Sequence, residues 1–381
     1  MAVYYIDSTL GNNSNDGLTP SSPIKSHENL ELKSGDIVLF KRGTSYRTGI
    51  KSPSLEGDPI TYSSYGEGAP PVFYGSRNYS GCSFWKQTDQ KNIWKLDVLL
   101  DDEPCNIVFN HGKDFGKLAW SFSELNSQGK WWSNTFGKRV KRESFETSDL
   151  FLYSCDNPGL FYKDIEIALF GTKSILQAFK NTFFDGLHIL NSGVHGFGIS
   201  RPENVLFNNC IFENIGGCVW DLSRKIRYGN GVECWDGGKN VTVSNCEFKN
   251  IFDSCFTTQG SSTMERHENI TCISCTMEKF GMAAYEIRDR IGKNILFENN
   301  FCTDAGYGFA LNDEPVPRYS EIYPEPMGHH IFIWRGIPTG EGHIEIRNNT
   351  FRGKPTGQVV YTRSDSLSAA SQISIHDNII D

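Results

Sequence analysis

The stretch that decides the fold is NVTVSNCEF, residues 240–248. Apolar and polar residues alternate, a Ser-Asn corner interrupts them, and a second short apolar run follows, as expected of two strands meeting at a bend. The same pattern recurs in NVLFNNCIF (204–212), NITCISCTM (269–277), NILFENNFC (294–302), HIEIRNNTF (343–351) and QISIHDNII (372–380), with a relative in DGLHILNSG (185–193). Successive starts are 19 to 49 residues apart. A shared core motif with variable spacing means stacked coils with insertions at their corners. One such coil cannot bury its own apolar face, so neighbours must stack. The pattern predicts a parallel β-solenoid. Asn tolerates the left-handed backbone of a sharp corner. Asn209, Asn245 and Asn299, or their neighbours, are expected to bond from coil to coil.

The chain has 381 residues with 13% aromatic and 22% charged residues, a globular composition. Its formal net charge of −8 argues against nucleic acid as a partner. No apolar run is long enough to span a bilayer. The start MAVYYIDSTLG lacks the basic and apolar regions of a signal peptide. The expectation is a cytoplasmic protein, or an exported one whose signal this sequence does not carry. Eleven cysteines are present. Cys210, Cys246 and Cys275 recur at one coil position and read as small core residues, mostly reduced; CISC (272–275) stands without the second pair of a zinc site.

Residues 1–381 read as one β-helical domain, with irregular insertions near 100–165 and 312–342. YYIDSTLGNNSNDGLTPSSPIKS (4–26), GDIVLFKRGTSYR (35–47) and the coil motif together resemble the right-handed parallel β-helix repeat proteins, a superfamily that includes pectate lyases and polygalacturonases. The resemblance implies an all-β, single-stranded right-handed parallel β-helix and a poly- or oligosaccharide bound in a groove on its outside. The ordered NxD, paired Asp and RxK set of polygalacturonases is absent, as is the DPHD of alginate epimerases. The calcium-binding Asp residues and Arg of pectate lyases have only a partial echo.

Stacking GVECWD (231–236), CFTTQG (255–260), YEIRDR (285–290) and FALNDE (309–314) places Glu233, Thr257, Glu286 and Leu311 in one column. Trp235, Gln259, Arg288 and Asp313 fall in the next column of the same exposed face. Cys234, Thr258, Ile287 and Asn312 then point inward. Glu233 and Glu286 are the catalytic candidates, with Asp253 at the corner between them and Arg288 beside them; a solvated strand face and a surface ion pair are the plain alternatives. Trp235 is the candidate sugar platform. Asp236, His195, Tyr228, Gln259 and Asp313 are substrate-binding candidates, against turn capping for Asp236 and a structural role for His195. Arg227 opens the same loop as Tyr228. HH (329–330) and IWRG (333–336) read as part of a long insertion walling the groove. GKRVKR (137–142) with KWW (130–132) reads as a solvated loop or a contact for an acidic sugar.

These residues support an inverting glycoside hydrolase with paired carboxylates and no metal or cofactor. The alternatives are a polysaccharide lyase acting by β-elimination on a uronate polymer, with Ca²⁺ as its cofactor, and a non-catalytic glycan-binding adhesin.

Overall fold

A computed structural model describes residues 1–171, 173–261, 265–309 and 327–381. Three parallel sheets wrap one core. The first has ten strands, the second nine and the third eight. In one representative coil they contribute Lys239–Ser244, Glu247–Ile251 and Ser254–Gln259. The repeated motif is the corner between the first two sheets. Its alternation is real: in Lys239–Ser244, Val241 and Val243 are buried while Thr242 and Ser244 are half-buried. Aromatic rings stack from coil to coil inside, Tyr62 on Phe184 and Phe184 on Phe207 at 5.5 and 5.3 Å.

The corners explain the Asn residues. Asn209, Asn245 and Asn299 take φ of 51°, 52° and 54°. Asn209 donates to Asp185 at 3.1 Å and Asn245 to Asn208 at 3.0 Å, so these corners do bond from coil to coil. Longer Asn ladders run at two other corners. Asn204 donates to Asn181, Asn240 to Asn204, Asn269 to Asn240 and Asn294 to Asn269, at 2.8–3.0 Å. A second ladder joins Asn250 to Asn214 and Asn214 to Asn191, each at 3.0 Å. All eleven cysteines are free, and only Cys82 and Cys155 are exposed.

The chain leaves the stack after Val72–Tyr74 and rejoins it at Ser174–Gln177. The excursion is itself built of strands. Pro104–Phe109 pairs antiparallel with Ile165–Leu169, and Lys130–Ser133 with Leu150–Tyr153. Trp85, Trp131, Leu152 and Ile167 lie in its own buried cluster. In GKRVKR and KWW, Trp131 is thus core, and Arg139 pairs with Asp102 at 2.7 Å. This module meets the solenoid beside the third sheet, where Asn106 donates to the Gly216 carbonyl at 2.8 Å.

Candidate functional site

The third sheet runs through His195–Ser200, Val232–Trp235, Ser254–Gln259, Ala283–Arg290 and His329–Ile337. Glu233 pairs with Thr257 and Thr257 with Glu286, as the sequence register requires. Trp235 pairs with Gln259. Cys234 and Ile287 lie in the core, and Thr258 shares a 3.0 Å hydrogen bond with the Tyr285 hydroxyl. The next coil differs from expectation. Phe332 stands beside Glu286 and Trp334 beside Arg288. HH and IWRG therefore belong to a strand of this sheet and not to an insertion. The strand is apolar on both faces, so it lacks the alternation that marks the other coils. Leu311, Asn312 and Asp313 lie outside the described residues.

The face is outward but covered. Glu233 is 5% exposed and Glu286 2%, where the sequence suggests an open surface. Hydrogen bonds compensate this burial. Glu233 Oε2 accepts from Asn230 Nδ2 at 2.6 Å and from Gln259 Nε2 at 2.7 Å. The Asn230 Oδ1 accepts from the Ser254 amide at 3.0 Å, and the Ser254 hydroxyl donates to Glu286 Oε2 at 3.1 Å. One Asn and one Ser thus tie the two carboxylates together. Asn230 is placed by its neighbour Gly229, at φ 145°, whose backbone passes against Gly216 with no room for a side chain.

Arg288 turns to Gln259, donating to Oε1 at 3.1 Å, and lies 4.1 Å over the Trp334 ring. Its further partner is Asp289 at 3.6 Å, and the expected pairing with Asp313 lies outside the described residues. Gln259 has both ends of its amide engaged and so positions Glu233 and Arg288 relative to each other. His195 is 1% exposed, and its Nδ1 accepts the Asn230 amide at 3.1 Å. Burial pushes its pKa down to about 4, against the pull of Glu233 at 3.8 Å. It is a neutral support under the network, so the general-base and sugar-donor readings both give way. Tyr228 packs edge-on against that ring at 5.4 Å, and burial raises its hydroxyl pKa. The Arg227 side chain is buried, donating to the Gly217 carbonyl at 2.6 Å.

Trp235 keeps 36% of its surface exposed, as a platform requires. Asp236 follows Trp235 at φ 62°, accepts from the Ser261 hydroxyl at 3.4 Å and pairs with Arg201 at 3.6 Å. Asp253 is buried at the corner immediately before Ser254, and its carbonyl accepts from Met282 at 2.9 Å. Asn230 and Ser254 escaped the sequence reading, which places Trp334 only as part of the IWRG wall. The signal for Asn230 was its place between two glycines, three residues before Glu233. Among the described residues no group of three or more His, Cys, Asp or Glu could hold a metal ion.

A family model described as a right handed beta helix region matches residues 151–270. No curated protein sequence matches the chain. Among solved structures, the complex of XylC with xylose is similar with a TM-score of 0.55 and 10% identity, over 95% of this chain and 70% of that one. A glycoside hydrolase is similar with a TM-score of 0.50 and 10% identity, over 100% of this chain and 96% of that one. At such identity the likeness is one of fold. Sheet order, the family match and both structural likenesses agree that the chain is a right-handed parallel β-helix.

Proposed function

We propose that this protein is a carbohydrate-active enzyme that hydrolyses a glycosidic bond of a poly- or oligosaccharide with inversion. One observation carries the reading: Glu233 and Glu286 stand on one outward face, two strands apart, in a single hydrogen-bonded network through Asn230 and Ser254. Adjacent strands are ~4.8 Å apart, so the two backbones are separated by roughly 9–10 Å. Inverting enzymes hold their carboxyl groups about 6.5–9.5 Å apart, leaving space for a water. The likeness to a glycoside hydrolase and to a protein solved with xylose supports the carbohydrate class.

In the proposed step, Glu286 gives its proton to the glycosidic oxygen as the bond from the anomeric carbon breaks. Water attacks that carbon from the opposite side and loses a proton to Glu233. Asn230 and Gln259 hold the Glu233 carboxyl group in place through Oε2. Thr257 lies between the two, its Oγ1 buried and without a hydrogen-bond partner among the described residues. It is placed to hold the water or a sugar hydroxyl. Trp235 offers an apolar ring to the sugar face. Deep placement of both carboxylates limits bulk water and strengthens their action on the substrate.

The second reading is β-elimination on a uronate polymer. It draws on Arg288, Arg335 and Arg363, whose guanidinium groups lie 4.1, 5.6 and 5.4 Å from the Trp334 ring centre. A panel of neutral and acidic polysaccharides, assayed for new reducing ends and for ultraviolet absorbance, separates the two. Reducing ends without absorbance support hydrolysis. Absorbance from an unsaturated product supports elimination, and binding without product supports an adhesin.

A further inference from the structure

A cleft of about 570 Å³ lies on a different part of the surface, between the inserted module and the corner that follows the second sheet. Its size is that of a small-molecule site. The stacked pair Phe109 and Tyr162, with ring centres 3.8 Å apart, lines it from the module side. Two further rings in its lining are open to solvent: Phe161 is 46% exposed and Tyr307 47%. Three cations, Lys113, Lys117 and Lys279, share the lining with one carboxylate, Asp114. Asp114 is already engaged, accepting from Asn110 Nδ2 at 2.6 Å. Lys279 has Glu278 at 3.7 Å, outside the lining. A concentration of cations is unexpected in a chain of net charge −8.

None of the residues that line the cleft belongs to the carboxylate network. Phe252 packs with Val108 and Phe309. It also packs beneath the Arg227 guanidinium at 4.6 Å, and so stands at the turn into the third sheet. Exposed ring faces accept the apolar faces of sugars, and ammonium groups beside them attract negative charge. Rings alternating with cations suit a chain of ring-shaped units that carries anionic groups.

The geometry points to a second glycan-binding site in this cleft, selective for oligosaccharides that carry carboxylate or sulfate groups. The choice of a glycan rests on the carbohydrate reading above; the binding itself needs no catalytic residue. The test is calorimetric titration of the whole chain with a galacturonate hexamer, a heparin-derived hexasaccharide, xylohexaose and an oligothymidylate. At least one acidic glycan binds, more weakly as salt rises, and which one binds tells carboxylate from sulfate. Combined Lys113→Ala, Lys117→Ala and Lys279→Ala substitutions weaken it at least about tenfold, and Tyr307→Ala also weakens it. Glu286→Gln leaves it unchanged, which separates this site from the catalytic reading. The proposal is overturned if neither acidic glycan binds, if xylohexaose or the oligothymidylate binds as tightly and loses that affinity in the triple lysine variant, or if the triple variant keeps full affinity for the acidic glycans.

Discussion

The first and third sheets are built by the same coils, yet they treat their outer faces differently. Lys239–Ser244 of the first sheet buries only its two inward valines. Ser254–Gln259 of the third is buried at all six positions. A solenoid needs one apolar face per sheet to stack. Burying a second, polar face costs desolvation that hydrogen bonds must offset. The network of Asn230, Glu233, Ser254, Gln259 and Glu286 supplies those bonds. Stacking alone does not call for such a network, and that is the physical reason to place the chemistry there.

The largest difference between the two faces is expected in acid. His195 opens a third-sheet strand and His267 lies against the Gln259 carbonyl of another at 3.3 Å, and burial pushes each down to about 4. The unfolded chain takes up these protons near pH 6.5, the folded chain only near 4. The stability they contribute is therefore complete above about 6.5 and is lost as pH falls toward 4, on the order of 3 kcal/mol for each. Burial raises Glu103 to about 7, and its contribution runs the opposite way over the same range. Denaturant midpoints of the wild-type and His267→Asn chains, compared from pH 7 to 4, therefore check this, and identical slopes would return the His267 ring to water.

Glu286→Gln keeps the shape of the side chain and removes its proton donor. Activity should fall at least ~10²-fold with the melting temperature little changed. A variant that retains most of its activity removes Glu286 from the acid role and turns attention to Arg288. The ladder side of the molecule responds in the opposite way. Asn214 donates to Asn191 and accepts from Asn250 while holding φ at 56°. Asn214→Ala should cost about 2 kcal/mol of stability, read from the urea midpoint, and leave kcat unchanged. If kcat falls with it, the ladder on the second sheet and the network on the third are not independent. Trp235→Ala carries the smallest effect: KM should rise about fivefold while kcat stays within about twofold. An unchanged KM would show that the sugar does not rest on this ring.

The contrast between the sheets also marks what could be read in advance. The corner motif repeats in seven segments, and each copy reports the same backbone, so the parallel solenoid was legible. So was the pairing of Glu233, Thr257 and Glu286, because period-two alternation fixes register wherever one face is buried. The alignment failed at the next coil. FALNDE offers alternation, whereas HHIFIWRGI is buried on both faces and shows none. The depth of the carboxylates was hidden as well. The module segment around Asn106 that packs beside the site is over a hundred residues away in sequence. The bonds from Gln259 to Glu233 and from Ser254 to Glu286 span 26 and 32 residues. No local pattern encodes contacts of that range.

The most direct test of the carboxylate pair is the stereochemistry of the first product. Once the polysaccharide panel supplies a substrate, proton magnetic resonance during early turnover reports the configuration at the freed anomeric carbon before mutarotation. Two carboxylates two strands apart, with a water between them, predict the inverted anomer from the wild-type chain and neither anomer at a comparable rate from Glu286→Gln. A first product of retained configuration would contradict the account, because it demands a carboxylate nucleophile about 5–5.5 Å from its partner.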